Sequence, residues 1–530
     1  NRRGARSARR TQRPLRLLDI EPRTALRPCT GRAAAVEHGH ERRDPEQGVL
    51  FKVLSQHLPA FLNAAQAHDG NGIPKFAEKE LRGVLKCGVL AYGFAHFRCN
   101  TCKRDLVVGL SCKGRGFCTR CGGRRMAERA AHLIDHVMPH VPTRQWVLTL
   151  PYRLRYRLGY DHELCKRVLR IYLRALGAYY RSQTGQPTGE IGCVTFIHRF
   201  NSGLSLSPHF HTENLDGVFV PDGQGGVRFV QAGEPTALDV AEILARIDAQ
   251  VRELLGQHGL QEDSEAEPAP DSLALDAPAL AACYAGSVTR RTALGPDAGK
   301  PIVKVGALPN TPWVQTQRPR HSHHEGFDLH ASHALGAEDR EGLERLLRYG
   351  ARPAIAQDRL SLLPDGRVSL ELKRRYHDGT THLFFKPLAF IERLVALVPK
   401  PHKNLTIYSG VLAPNAKLRS AVVAYGRPAQ PSAEQALEAA QGAAEPKAAD
   451  ARAEPAVQAH DAEASHLEAA PIAPVTTAAS PQAPPACPPK KPKPKRRNYQ
   501  WAELMRRSFG CDVLACVGCG GRLKLLEVVT

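Results

Sequence analysis

Two histidines separated by one residue are the sharpest candidates for chemistry in this sequence. His209 and His211 stand in the run Pro208-His-Phe-His, and residues two apart on a β-strand point to the same face of the sheet. Both imidazoles would then share one face while Phe210 enters the core. Neutral imidazole nitrogen is a good ligand for a divalent ion. The pair therefore predicts a metal site, although His-x-His also occurs in ordinary surface and core strands.

A tyrosine in a basic stretch is the second candidate. Tyr408 lies in a segment that also contains Lys400, His402, Lys403 and Lys417. A phenol is a poor nucleophile unless cations or a metal stabilise the negative charge that develops. A basic surround would do this and would also hold a phosphate under attack. An ordinary amphipathic tyrosine at a domain surface is the alternative.

Cysteine spacing predicts a structural zinc site. Two Cys-x-x-Cys knuckles, separated by fifteen residues, are formed by Cys99, Cys102, Cys118 and Cys121. This spacing is typical of tetrahedral zinc, whereas two disulfides would need an oxidising compartment. The nearby Cys87 and Cys112 could belong to a different ligand set, but we expect them to be small buried thiols.

A further knuckle stands near the end of the chain. Cys516 and Cys519 supply two thiolates, and a structural zinc ion takes four ligands. A second zinc site here therefore needs Cys511 as a third ligand and a partner protein or further residues for the fourth. A knuckle that binds no metal is the alternative.

The elements that must position these groups have mixed helical and strand periodicity. Strands are predicted over residues 146–150, 193–200, 209–220 and 327–334, helices over residues 49–67, 124–137, 163–181, 238–255, 338–349 and 388–398, and a hairpin over residues 360–372. These boundaries and shifts in composition divide the chain into a basic, disordered segment (1–44), a zinc-binding module (45–142), a catalytic domain (143–426), an Ala/Pro-rich disordered linker (427–489) and a tail with a basic run and the last knuckle (490–530).

Composition narrows the class of partner. The chain has 73 Lys and Arg against 52 Asp and Glu, a net charge of +21, which favours polyanionic partners such as nucleic acid. No apolar run is long enough to cross a bilayer, and the Arg-rich start has no apolar core typical of a secretory signal. The sequence therefore argues against a membrane protein.

Several motifs in a fixed order resemble a known family. They are Ser111-Cys-Lys-Gly-Arg-Gly-Phe-Cys118, Cys121-Gly-Gly-Arg-Arg-Met126, Thr195-Phe-Ile-His-Arg-Phe200, Pro208-His-Phe-His211, Leu215-Asp-Gly217, Phe327-Asp-Leu-His330, Arg348-Tyr349, Arg352-Pro353, Tyr408-Ser-Gly-Val-Leu-Ala-Pro414 and Trp501-Ala-Glu-Leu-Met505. In this order they look like the rolling-circle transposases of the insertion-sequence-ninety-one family, whose nuclease is of the His-hydrophobic-His (HUH) class.

The resemblance implies an α+β fold, with an HUH-nuclease-like antiparallel sheet and packed helices behind a small zinc-binding module. It implies an enzyme that nicks and rejoins single-stranded DNA at insertion-sequence ends. His209 and His211 would hold magnesium or manganese, and Tyr408 would form a 5′-phosphotyrosine. The zinc module would help to recognise the end of the element. It implies no small-molecule substrate and a bacterial cytoplasmic, nucleoid-associated protein.

The sequence departs from the family pattern at a few positions. Leu412 stands four residues after Tyr408, where some members have a second tyrosine, so the chain resembles the single-tyrosine branch. His198 stands where relatives usually have Gln and is a candidate third metal ligand. Glu213 shares the predicted face of the His pair and is either a carboxylate ligand or a buried liability.

Three cations are predicted to contact DNA: Arg352, Lys373 and Lys403. Two other functions stay open at this point. One is a zinc-dependent DNA-binding protein without catalysis, and the other is a zinc metallohydrolase that uses His209 and His211. The second lacks a Glu base at metalloprotease spacing.

Overall fold

The computed structural model describes residues 44–260, 271–308, 319–427, 500–510 and 512–530. The predicted basic N-terminal segment up to residue 43, the predicted linker from residue 428, the basic run 490–497 and Cys511 lie outside these residues. The helices are α1 (Val49–Asp69), α2 (Lys75–Lys86), α3 (Thr119–His136), α4 (Arg155–Tyr160), α5 (His162–Thr184), α6 (Ala237–Gln257), α7 (Ser272–Asp276), α8 (Pro278–Thr289), α9 (Arg340–Gly350), α10 (Pro387–Leu397), α11 (Arg419–Ala424) and α12 (Trp501–Phe509). The strands are β1 (Phe94–Cys99), β2 (Asp105–Gly109), β3 (Thr143–Thr149), β4 (Gly192–Phe200), β5 (Leu206–Leu215), β6 (Gly217–Pro221), β7 (Val227–Gln231), β8 (Val303–Val305), β9 (His321–His324), β10 (Phe327–Leu335), β11 (Leu360–Leu362), β12 (Val368–Glu371), β13 (His382–Phe385), β14 (Thr406–Gly410) and β15 (Leu523–Val529).

A six-stranded antiparallel sheet, here the central sheet, carries both histidines of the motif. Its strand order is β14-β4-β5-β3-β10-β9. Strands β4 and β5 are buried along almost their whole length, as expected for interior strands covered on both faces. This sheet and three smaller antiparallel sheets confirm the predicted α+β class.

Helices cover the two faces of the central sheet. On one face, Ile197 and Phe210 pack with the apolar stripes of α5 and α6. The N-terminus of α5 is capped by the carboxylate of Asp161, which accepts a hydrogen bond from the backbone N–H of Leu164 at 2.9 Å. On the other face, α3 and α9 pack on the β4 side chains of Val194 and Phe196. The face that carries the histidines is therefore covered by two helices from different parts of the chain.

The remaining elements form a second core and a small sheet. Helices α1, α2, α8 and α10 pack around Phe61, Tyr284 and Phe390, with the sheet of order β11-β12-β13-β8 at their side. The small sheet has the order β15-β1-β2 and thus joins the end of the chain to the cysteine-rich region.

Sequence periodicity missed several elements. The strand expected over residues 209–220 is interrupted at Asp216, which is buried and pairs with Arg144 at 2.9 Å. Helix α8 is absent from the predicted helices, because it is apolar on all sides and has no amphipathic period to detect. Strand β9, which carries the histidines at 321, 323 and 324, is also absent from the predicted strands. None of the described helices is both long and apolar enough to span a membrane.

Candidate functional site

Three histidines meet on one face of the central sheet. Strand register pairs His198 with His209 and Phe196 with His211, so all three imidazoles project to the same side. Their ring centroids are 4.4–5.2 Å apart, and one nitrogen from each ring lies within 4.8 Å of the others. The structure therefore brings the third histidine, His198, beside the predicted pair.

Hydrogen bonds orient two of the three rings. Nδ1 of His209 donates to the carbonyl of Ser207 at 2.7 Å, and Nε2 of His198 donates to the carbonyl of Gly350 at 2.6 Å. Each ring then directs its other nitrogen, an acceptor, into the cluster. The Nδ1 atom of His211 is buried and has no hydrogen-bond partner among the described residues. A divalent ion would satisfy this donor set, so the three residues fit a metal site.

Burial keeps the cluster neutral. Desolvation lowers the pKa of His198 to about 3, with the neighbouring imidazole of His209 adding to the effect. Burial likewise lowers the pKa of His209 to about 4 and depresses that of His211 well below its ordinary value. Neutral imidazoles can coordinate a metal at physiological pH and add no negative charge, so a bound cation would keep its full charge for an anionic ligand.

Glu213 lies on the same face but does not join the cluster. Its register partners are Val194 on β4 and Gln145 on β3. Its Oε1 atom accepts a hydrogen bond from the amide of Gln145 at 2.5 Å, while Oε2 is buried and has no partner in the part of the chain that the structure describes. Burial raises the pKa of Glu213 to about 8. A protonated carboxyl in this position is a weak metal ligand.

A tyrosine at the end of α9 faces the cluster. The ring of Tyr349 lies edge-on to His211, with centroids 5.7 Å apart, and 41 % of the residue is exposed. The guanidinium of Arg352 lies 4.1 Å from the centre of the tyrosine ring, and the ammonium of Lys373 lies 5.3 Å from it. Tyr349 is therefore open to solvent and lies beside both the histidine cluster and two cations.

Tyr408 lies further from the histidines. It pairs with Val194, which pairs in turn with Glu213, so Tyr408 is two strands away and one pleat further along than His211. Sheet geometry puts the Cα atoms of Tyr408 and His211 roughly 12 Å apart. The Tyr408 ring packs at the edge of the core that joins α3 and α9, with Arg419 5.9 Å from its centre.

A basic cavity of about 920 Å³ opens beside the histidine cluster, and Tyr349 is not among the described residues that line it. It runs between α3 and the central sheet, and both His198 and Tyr408 line it. Its cationic lining residues are Arg115, Arg125, Arg129, Arg199, Arg352, Arg359 and Lys373. Lys403 does not line the cavity, and its ammonium lies 3.8 Å from Glu163. Two of the three predicted DNA-contacting cations therefore share the cavity, while the third lies outside it.

Eight cysteines of the described residues form two clusters of four, and the predicted set of four is divided between them. The first cluster joins Cys118 and Cys121, at the start of α3, to Cys87 and Cys112. Sulfur–sulfur distances in it are 3.5–3.8 Å, and tetrahedral zinc with Zn–S bonds of about 2.3 Å requires about 3.8 Å. Hydrogen bonds from the thiols of Cys112 and Cys118 lower the pKa of Cys121. These four residues fit one structural zinc ion.

The second cluster joins Cys99 and Cys102 to the C-terminal knuckle. The sulfur of Cys99 lies 3.5 Å from that of Cys519, and the sulfur of Cys102 lies 3.5 Å from that of Cys516. Cys99 and Cys102 of the same chain therefore complete a set of four thiols with the C-terminal knuckle, and Cys511 is not required.

Sequence reasoning missed three residues of these sites. Cys87 and Cys112 were expected to be ordinary buried thiols, and Tyr349 was noted only within a family motif. One signal was present for the cysteines, since those at the knuckles together with Cys87 and Cys112 number eight, enough for two sites of four. For Tyr349 the signal was weaker, because only its neighbours Arg348 and Arg352 marked a basic segment.

Comparison with known proteins agrees with this arrangement. Residues 53–150 match the family model described as "Transposase zinc-binding domain" of the IS91 type, and residues 192–419 match the family model described as "Putative transposase". The first range contains the whole first cysteine cluster, and the second contains the histidine cluster and both tyrosines. No curated protein and no solved structure matches the chain. The chain therefore belongs to the IS91 family of transposases.

Proposed function

We propose that this transposase nicks and rejoins single-stranded DNA at the ends of its element and that Tyr349 is the nucleophile. The observation that carries the proposal is the position of the Tyr349 ring, 5.7 Å from His211 and beside two cations. Tyr408, which the sequence favoured, is the competing candidate. We also propose that the protein acts on DNA in the bacterial nucleoid.

The histidine cluster would hold a magnesium or manganese ion through His198, His209 and His211. Such an ion supplies Lewis acidity that polarises the scissile phosphate and stabilises the departing oxygen. The cluster fits this role because its buried imidazoles are neutral and two of them are oriented by backbone carbonyls.

The chain's own groups hold and orient the DNA. The guanidinium of Arg352 and the ammonium of Lys373 can each contact a phosphate oxygen, and within the described residues neither forms an ion pair with a carboxylate. The basic cavity would direct an unpaired strand toward the histidines. Duplex DNA would be excluded from the reaction, since the cavity is roofed by α3.

The reaction conserves the number of phosphodiester bonds. The hydroxyl oxygen of Tyr349 bonds to phosphorus as the bond from phosphorus to the 3′-oxygen breaks, the tyrosine proton passes to solvent, and the 3′-oxygen gains a proton. The DNA is then joined by its 5′-phosphate to the protein. Attack by a free 3′-hydroxyl reverses the step and joins strands without ATP, which is the basis of rolling-circle transfer. Helix α9 has no other tyrosine, in agreement with a single-tyrosine enzyme.

The test is a search for a covalent protein–DNA adduct. Single-stranded oligonucleotides that tile the DNA flanking the gene are labelled at the 3′ end in one set and at the 5′ end in another, and each is incubated with protein and Mn²⁺. A 5′-phosphotyrosine retains only the 3′ label on the protein in a denaturing gel. Retention of the 5′ label would contradict the proposed polarity, and hydrolysis without an adduct would point to a metallohydrolase.

Matched variants distinguish the two tyrosines. We expect Tyr349→Phe to abolish the adduct and Tyr408→Phe to retain it, because only the first lies beside the histidines. The reverse result would return the role of nucleophile to Tyr408. Absence of any adduct from the unmodified protein would favour a DNA-binding protein without catalysis.

A further inference from the structure

The end of the chain returns to the cysteine-rich region and completes a metal-ligand set there. Cys99 and Cys102 lie 3.5 Å, sulfur to sulfur, from Cys519 and Cys516 respectively. The two knuckles are 414 residues apart in sequence. The distances are close to the edge of about 3.8 Å that a tetrahedral zinc–thiolate site requires.

Both knuckles have the turn that presents two thiolates to one ion. Backbone N–H groups of Thr101 and Cys102 donate to the sulfur of Cys99, and those of Gly518 and Cys519 donate to the sulfur of Cys516. The residue after each knuckle has a left-handed backbone, with φ of 59° at Lys103 and 71° at Gly520. Thiolates need such donors when they carry charge, so the local geometry suits metal-bound sulfur.

Strand β15 continues the attachment. It pairs antiparallel with β1 from Phe94 opposite Val529 to Cys99 opposite Leu523, and the backbone N–H of Asn100 donates to the carbonyl of Arg522 at 2.9 Å. β15 lies at the edge of its sheet and is exposed along most of its length. A short exposed edge strand buries little apolar area, so a metal ion would add most of the stability of this attachment.

Helix α12, which precedes the knuckle, contacts the two helices that roof the catalytic face. Arg507 pairs with Asp135 of α3 at 2.6 Å and with Glu344 of α9 at 2.8 Å. Arg348 of α9 donates to the carbonyl of Ser508 at 3.0 Å. Leu504 is buried against α3. Arg348 is the neighbour of Tyr349, so these contacts bear on the helix that presents the proposed nucleophile.

We propose that Cys99, Cys102, Cys516 and Cys519 hold one zinc ion, which fastens residues 500–530 to the zinc-binding module so that α12 braces α9. The ligand set unites two cysteines within the matched zinc-binding region with two that lie far outside it. The zinc site stands on the cysteine geometry alone, while the brace rests on the proposed function of Tyr349.

The contacts of α12 with α3 and α9 need a further attachment to persist, because each of them is weak. Helix α12 has nine residues, fewer than the roughly 12–15 at which an isolated helix becomes marginally stable. Partly exposed ion pairs such as those of Arg507 are individually weak. A metal ion that fixes the following knuckle raises the effective concentration of α12 at α3 and α9 and makes these weak contacts persistent.

Zinc content tests the site directly. We expect the purified full chain to contain two zinc ions and the variant Cys516→Ser/Cys519→Ser to contain one, measured by elemental analysis. The control Cys283→Ser changes a buried cysteine outside both clusters and should keep two. One zinc ion in the unmodified chain, or two in the double variant, would overturn the proposal.

Retention of the tail tests the anchor. A protease site inserted between residues 440 and 460 allows the chain to be cut without touching either cluster. After cutting, we expect the fragment that contains residues 500–530 to co-elute with the remainder in gel filtration for the unmodified cysteines. It should separate in the Cys516→Ser/Cys519→Ser background. Equal retention in both would show that zinc does not fasten the tail.

Arg507 tests the brace. We expect Arg507→Ala to lower the rate of adduct formation at saturating DNA by about three- to tenfold, as for loss of a modest pair of contacts, with zinc content and KM unchanged. The neighbouring Arg506→Ala is the control and should be silent. An unchanged rate for Arg507→Ala would refute the brace. If the unmodified protein forms no adduct, the proposed function fails. The zinc content and the retention of the fragment still decide whether a zinc ion attaches residues 500–530.

Discussion

Replacement of Gly350 by alanine tests how α9 packs on the face of the central sheet that carries the histidines. A Cβ atom built at this position would lie 2.6 Å from Cε2 of Phe196 and closer still to Cδ2. Ordinary carbon contacts are about 3.5–4.0 Å, so the end of α9 must move away from β4 by about 1 Å. The carbonyl of Gly350 also accepts the hydrogen bond that orients His198. One methyl group therefore displaces both Tyr349 and His198, a ligand in the proposed metal site.

The expected magnitudes follow from this shift. A misplacement of about 1 Å in a reacting group can lower a rate by about 100-fold, and we expect a fall of that size in adduct formation at saturating DNA. Overpacking costs about 1–3 kcal/mol, partly offset by the better helix propensity of alanine, worth up to about 1 kcal/mol. We therefore expect a loss of about 1–2 kcal/mol in the free energy of unfolding, measured by denaturant titration.

Two further variants isolate the steric cause. Gly336→Ala places a Cβ with no heavy atom of the described residues within 4 Å and should behave as the unmodified protein. Phe196→Val removes the ring atoms that the new methyl group meets, so Gly350→Ala/Phe196→Val should recover at least part of the lost rate. A normal rate for Gly350→Ala, or an equal rate in the single and double variants, would refute the reasoning.

Three other predictions concern the cations and the first cysteine cluster. Partial desolvation, with Arg352 and Arg359 nearby, lowers the pKa of Lys373 to about 8. Its side chain is charged below that pH and neutral above it, so DNA affinity measured by fluorescence anisotropy without divalent ions should fall between pH 7 and 9. The variant Lys373→Arg stays charged and should flatten this pH profile. Arg352→Ala should reduce the slope of log affinity against log salt concentration by about one, as expected for loss of one phosphate contact; an unchanged slope would remove it from the binding site. Cys112→Ser should lose one zinc ion and have a lower melting temperature, measured by calorimetry, whereas Cys283→Ser should keep both ions. Full zinc content in Cys112→Ser would contradict the assignment of Cys112 as a zinc ligand.

Local patterns predicted the elements of the site better than their grouping. The His-x-His motif fell on a strand, and period-2 alternation was enough to put His209 and His211 on one face. The sequence also predicted helices over residues 163–181 and 338–349, close to the observed bounds of α5 and α9. These features depend on residues within a few positions of one another.

Partners distant in sequence could not be obtained in this way. His198 joins the pair because β4 and β5 are hydrogen-bonded neighbours in one register; a shift of one residue would turn it to the other face. Cysteine spacing suggested a single zinc site, but the folded chain divides its two knuckles between two clusters. A Cys-x-x-Cys turn fixes two ligands, and nothing in its spacing selects the other two.

The sequence by itself determined the residue types and the local geometry of this transposase: an imidazole pair on a strand, thiolate knuckles on tight turns and a surplus of positive charge. Only the tertiary structure decided that Tyr349 and not Tyr408 lies beside His211, and that the last knuckle meets Cys99 and Cys102. The physical reason is one of range. Local conformation is set by backbone sterics and side-chain period, whereas contacts between distant residues depend on which apolar faces pack together and in which register.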